Sequence, residues 1–93
     1  MYKLAPSRRY RTSYKRVSKR KEFDQKELDF VTNALARGTS LPPRYRDHLL
    51  SGDHAGVREC HIKNDLLLLY QKHDNVLVLL LIDIGAHSSL FGQ

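Results

Sequence analysis

The sequence has a single cysteine, no acidic residue before Glu22 and no apolar run of membrane-spanning length. Each shortage excludes something. Cys60 alone allows no internal disulfide, so a reducing compartment is expected and a stapled secreted fold is not. The longest apolar runs, 66–70 and 76–82, are separated by polar residues 71–75. Neither approaches the roughly 20 residues that a membrane-spanning helix needs. The first residues place no apolar stretch behind their charges, so no secretory signal is expected. The expected location is the cytoplasm, with no membrane partner.

What is present fits one ordinary domain over residues 1–93. Apolar residues make up 41% and charged residues 28%, enough for one modest core and too few residues for two. The net charge of +6 is unevenly spread: residues 1–22 carry nine Lys/Arg against one acid, and residues 23–93 carry seven against nine acids. So concentrated a charge repels itself unless a polyanion docks there, which sets nucleic acid or an acidic protein segment ahead of a merely solvated face. The expected docking residues are Arg8, Arg9, Arg11, Lys15, Arg16 and Lys19.

The hydrophobic pattern orders the elements. A short strand at 2–5 ends at Pro6. From Ser7 a basic helix carries Tyr10, Tyr14 and Val17 as a narrow apolar stripe, a spacing that suits core packing better than base stacking. Asp24 with Glu27 three residues on forms a capping box for a second helix, and Phe23 with Leu28 a hydrophobic staple. Leu28, Val31 and Leu35 line that helix, with Phe30 and Ala34 beside them, and Gly38 stops it. The two helices should form an antiparallel hairpin. Residues 39–56 show no helical period and read as a long functional loop. Strands follow at about 57–62, 66–72 and 76–84. The expected fold is α+β, a helix hairpin on one face of a mainly antiparallel four-stranded sheet.

Histidines cluster where the chain changes direction: His48 in the long loop, His61 at the end of a strand and His87 after the last strand. Alternation predicts Glu59, His61 and Lys63 on the face away from the helices, with Cys60 and Ile62 packed inward. Cys60 then reads as a packing residue rather than a thiol partner of His61. His54 and His73 are given no role. No pair among His48, His61, Asp65 and His87 has a tight zinc-ligand spacing, so acid–base chemistry is expected ahead of a metal site. No metal or cofactor is expected.

Residues 41–92 carry a more specific signature. Leu-Pro-Pro-Arg-Tyr-Arg-Asp-His at 41–48, Gly52, Arg-Glu-Cys-His-Ile-Lys-Asn-Asp at 58–65 and Gly-Ala-His-Ser-Ser-Leu-Phe-Gly at 85–92 together resemble the YafQ branch of the RelE/ParE toxin superfamily. The resemblance implies a RelE-like fold and a toxin of a type II toxin–antitoxin pair. It implies metal-free cleavage of mRNA in the ribosomal A site, with the cognate antitoxin, ribosome and mRNA as partners. By position, the catalytic set falls on His48, His61, Asp65, His87 and Phe91, with Glu59 as a weaker candidate, and Arg44, Arg46 and Lys63 are the nearby cations expected to join Glu59 in binding substrate. The sequence departs from the family at Leu66, where an aromatic residue often follows the aspartate, and at Asp83, where many relatives have arginine. On an extended strand Asp83 shares a face with Gly85 and His87, so its carboxylate is expected near His87 and the scissile phosphate.

Such chemistry needs a base for the 2′-OH, an acid for the 5′-oxygen and positive charge at phosphorus. The expected roles are His61 with Asp65 as base, His87 as acid, His48 as phosphate-orienting group or alternative base, Phe91 as stacking platform, and Lys63 and Arg46 as cations. Spacing does not decide which histidine is acid and which is base. Two other classes remain: a ParE-like toxin that poisons a protein target, and a ribosome-associated RNA-binding module with structural histidines.

Overall fold

The computed structural model describes residues 1–52 and 56–91. His54 of the loop and Gly92 of the terminal motif lie outside them. The first strand, β1 (Lys3–Pro6), leads into α1 (Arg8–Val17), whose N-cap Ser7 accepts from the Tyr10 amide. Asp24 caps α2 (Gln25–Ala36) by accepting from the amides of Lys26 and Glu27. Only this half of the expected capping box forms, because the Glu27 carboxylate turns to Tyr45, whose Oη donates to it at 2.5 Å. At the other end Gly38 adopts φ +77°, and the Gly38 and Thr39 amides close back on the carbonyls of Leu35 and Ala34. This is a Schellman stop, and a left-handed residue there favours glycine.

The described part of the long loop carries regular structure that its composition does not signal. It holds a 3-10 turn at Pro43–Tyr45 and a two-residue strand, β2 (His48–Leu49). The remaining strands are β3 (Arg58–Lys63), β4 (Leu66–His73) and β5 (Val78–Gly85), and a short helix, α3 (His87–Phe91), follows. Among the described residues the sheet therefore has five strands rather than four, in the order β1-β5-β4-β3-β2, with β1 parallel to β5 and the other pairs antiparallel. Two residues are too few for alternation to reveal β2, and α3 is one turn long.

Two apolar clusters occupy the two sides of the sheet. On the helix side Tyr10, Val17, Leu28, Val31 and Leu35 meet Cys60, Ile62, Leu68, Tyr70, Leu79, Leu81 and Ile84. Phe30, expected beside this core, is instead 46% exposed and stacks on Tyr45. On the opposite side Leu67 and Leu69 pack against Leu90 of α3, with Val57, Ile82 and Phe91 at the margin. The central strands are apolar on both faces because both faces are covered, one by the hairpin and one in part by α3.

Candidate active site

Register alone assembles the outer face. His48 of β2 pairs with Glu59 of β3, Glu59 pairs with Leu69 of β4, and His61 pairs with Leu67. Directly opposed residues in antiparallel strands share a face. His48, Glu59 and His61 therefore form one patch beside the leucines on which α3 rests. Within α3, His87 and Phe91 are one turn apart, with ring centroids 4.9 Å from each other.

Glu59 organises the patch. Its side chain is 8% exposed, and its Oε1 lies 3.4 Å from His48 Nε2 and 3.7 Å from His61 Nε2. The imidazoles themselves are reachable, with side-chain exposures of 49% and 31%. The Arg46 carbonyl, 2.6 Å from His48 Nδ1, can only accept, so a hydrogen bond there requires the proton on Nδ1, and Nε2 is the nitrogen turned toward the carboxylate. One buried carboxylate thus faces two accessible imidazoles, which can exchange protons with a bound substrate.

Other expected residues are placed differently. Asp65 is exposed in the β3–β4 turn and lines a small cleft with Arg20, Phe23, Lys63 and Leu66. Among the described residues no hydrogen bond or ion pair joins it to His61, whose carboxylate neighbour is Glu59. The register shifts between His61 and Lys63, which breaks the alternation that would have set them on one face. Lys63 Nζ instead lies 3.3 Å from Asp24 Oδ2 at the cap of α2. Arg44 folds onto Tyr45, donating to its Oη at 2.6 Å and lying over its ring. Arg46 is exposed and left-handed at φ 49°. Burial pushes the Cys60 thiol far above its ordinary range, which removes it as a nucleophile.

Asp83 is also displaced from its expected place. Leu69 pairs with Asp83 and Tyr70 with Leu81, so Ile82 is an extra residue and takes the outer-face position beside Leu67 and Leu69. The Asp83 carboxylate faces α1: Oδ1 accepts from Ser13 Oγ at 2.5 Å, and Oδ2 lies 2.7 Å from Arg9 Nε. Its charge is balanced there, so it is neither the neighbour of His87 that strand alternation predicts nor a bare anion at the phosphate. Arg9, though exposed, is thereby tied to the fold, while Arg8, Arg11, Lys15, Arg16 and Lys19 are exposed on the surface around it.

A cluster behind His48 joins Asp47 and Arg58, which lie within the quoted motifs, to Tyr70, which has no functional signal in the sequence. Tyr70 Oη donates to Asp47 Oδ1, and Arg58 Nε lies 3.3 Å from the same oxygen. Tyr70 reads as the end of an apolar run, and its hydroxyl partner comes from the loop 23 residues away.

This α+β architecture is that of a group of solved bacterial toxins. A metal-bound toxin from Helicobacter pylori superposes with a TM-score of 0.90 at 40% identity, over 98% of this chain and 100% of that one. YafQ in the Escherichia coli DinJ–YafQ complex gives 0.86 at 27% identity, over 99% and 100%. The curated mRNA interferase toxin YafQ of Escherichia coli K12 is 33% identical over 78 residues, 83% of each chain. Residues 2–92 match the family model described as the bacterial toxin of type II toxin–antitoxin systems, YafQ. The chain belongs to the YafQ family of type II toxins. Among the described residues no group of three His, Cys, Asp or Glu side chains is placed to hold a metal ion.

Proposed function

We propose that this chain is an endoribonuclease, the toxin of a type II pair, and that it cuts mRNA on the ribosome. The observation that carries the reading is the buried Glu59 carboxylate facing two accessible imidazoles on the side of the sheet where α3 presents His87 and Phe91. The curated Escherichia coli relative is an mRNA interferase, and the solved one is held by a DinJ partner, which supports an RNA substrate and an antitoxin here.

In this scheme His61 is the base. Its Nε2 faces Glu59, which leaves Nδ1 for the 2′-OH of the scissile nucleotide. The 2′-oxygen attacks phosphorus as its proton passes to His61. The bond to the 5′-oxygen breaks, and that oxygen takes a proton from His87. The products are a 2′,3′-cyclic phosphate and a 5′-OH. His48 orients the phosphate, Arg46 supplies charge, Phe91 stacks on a base, and the exposed cations of α1 hold RNA phosphates without reading sequence. The ParE-like alternative drew on Asp83 standing where many relatives have arginine, and the accessible imidazoles of His48 and His61 weigh against it.

Induced expression in bacteria, with mRNA ends mapped with and without active translation, tests the proposal. New internal ends that depend on translation are expected. Growth arrest without such ends would overturn it.

A further inference from the structure

We propose that Asp47, clamped by Tyr70 and Arg58, is a positioning residue that fixes the tautomer and aim of His48. This rests on the nuclease reading of the patch.

The chain around Asp47 is held in an uncommon shape. Arg46 has φ 49° and ψ 42°, a left-handed conformation that a side chain disfavours. It persists only where neighbours over-determine it, and they do so on both sides. On the upstream side the Arg46 amide closes the 3-10 turn onto the Pro43 carbonyl at 3.0 Å. On the downstream side Asp47 receives Tyr70 Oη and Arg58 Nε. Burial first, and then the bond to Asp47, push the Tyr70 phenol above its ordinary value, so it remains a donor at any physiological pH. Tyr70 and Arg58 are themselves register partners on β4 and β3, so the anchor is part of the sheet.

The consequence falls on His48. With the backbone held this way, the Arg46 carbonyl sits 2.6 Å from His48 Nδ1, and Nε2 is directed to Glu59. His48 is the first residue of a two-residue edge strand, so pairing alone constrains it little. Without the clamp, its ring is free to turn and exchange tautomers.

Tyr70→Phe and Asp47→Asn test this, with the nitrogen chemical shifts of His48 as readout. In the wild-type protein Nδ1 should appear protonated in the neutral ring. In both variants the signals should move toward a tautomer mixture, with the rest of the amide spectrum retained. Cleavage kcat should fall roughly 10- to 100-fold with KM little changed, because misplacement of an acid–base group costs rate rather than binding. Tyr70→Phe deletes one oxygen and carries the test if Asp47→Asn does not fold. Unchanged His48 signals in a folded variant would overturn the clamp. A wild-type protein that showed the tautomer and cut no RNA would overturn the nuclease reading alone.

Discussion

Arg9 Nε lies 2.7 Å from Oδ2 of Asp83, joining the first turn of the basic helix to the end of the last strand. The Asp83 side chain is 4% exposed, and Ser13 Oγ donates to its other oxygen. Asp83→Arg would set two guanidinium groups against each other and leave Ser13 without its acceptor. Losing one partner of a buried pair costs about 3–5 kcal/mol, and the 64% exposure of Arg9 places this one toward the lower end. Urea denaturation should show the loss. The charge-swapped double variant Arg9→Asp with Asp83→Arg should recover a measurable part of it, and no recovery would show that the two side chains are not a pair.

His87→Ala should lower cleavage by about 10²–10⁴-fold, the usual contribution of a positioned acid or base. His87 is exposed, so melting temperature should hardly change. Rapid-quench measurement on programmed ribosomes separates the two effects. A folded variant cutting at the wild-type rate would remove His87 from the mechanism.

The helix framework was legible because its signal is periodic, with Leu28, Val31 and Leu35 marking a face, and the central strands because 66–70 and 76–82 are continuous apolar runs. The second run overreaches by two residues, since Val76 and Leu77 are exposed in the turn and the strand begins at Val78. His48, His61 and His87 could be named from the motif order. Alternation failed at the two register shifts, which send Lys63 to Asp24 and Asp83 to Arg9. A bulge is a property of strand pairing, invisible along one strand. Glu59 read as one residue of an exposed row, and its role comes from His48, brought beside it by a strand of two residues.

The cap of α2 predicts a pH dependence. The Glu27 amide and then the Lys63 ammonium hold the Asp24 carboxyl below its ordinary value. A depressed folded-state value stabilises the protein above the unfolded carboxyl range, and that contribution is lost as pH falls through the folded value. Asp24→Asn keeps an N-cap acceptor without the charge. Its urea midpoint should lie below the wild-type midpoint at neutral pH and converge with it in acid. A constant difference from pH 7 to pH 2 would rule out the carboxylate as the cause.

Reversing Arg8, Arg11, Lys15 and Arg16 to glutamate should weaken ribosome association and leave single-turnover chemistry on bound complexes nearly intact. Arg9 is kept because it holds Asp83. Every phosphate that the helix no longer neutralises should flatten the log–log salt dependence by about 0.7–0.9 units. Sedimentation with ribosomes across a salt series measures this, and an unchanged slope would place docking elsewhere.

The proposed 2′-OH attack is tested most directly by the ends that purified protein leaves on mRNA in programmed ribosomes, with one 2′-deoxy nucleotide placed at the cleavage position. The all-ribose message should yield a 2′,3′-cyclic phosphate and a 5′-OH, and the 2′-deoxy message should stay whole. A 5′-phosphate product, or cutting of the 2′-deoxy message, would contradict attack by the 2′-oxygen and the roles given to His61 and His87.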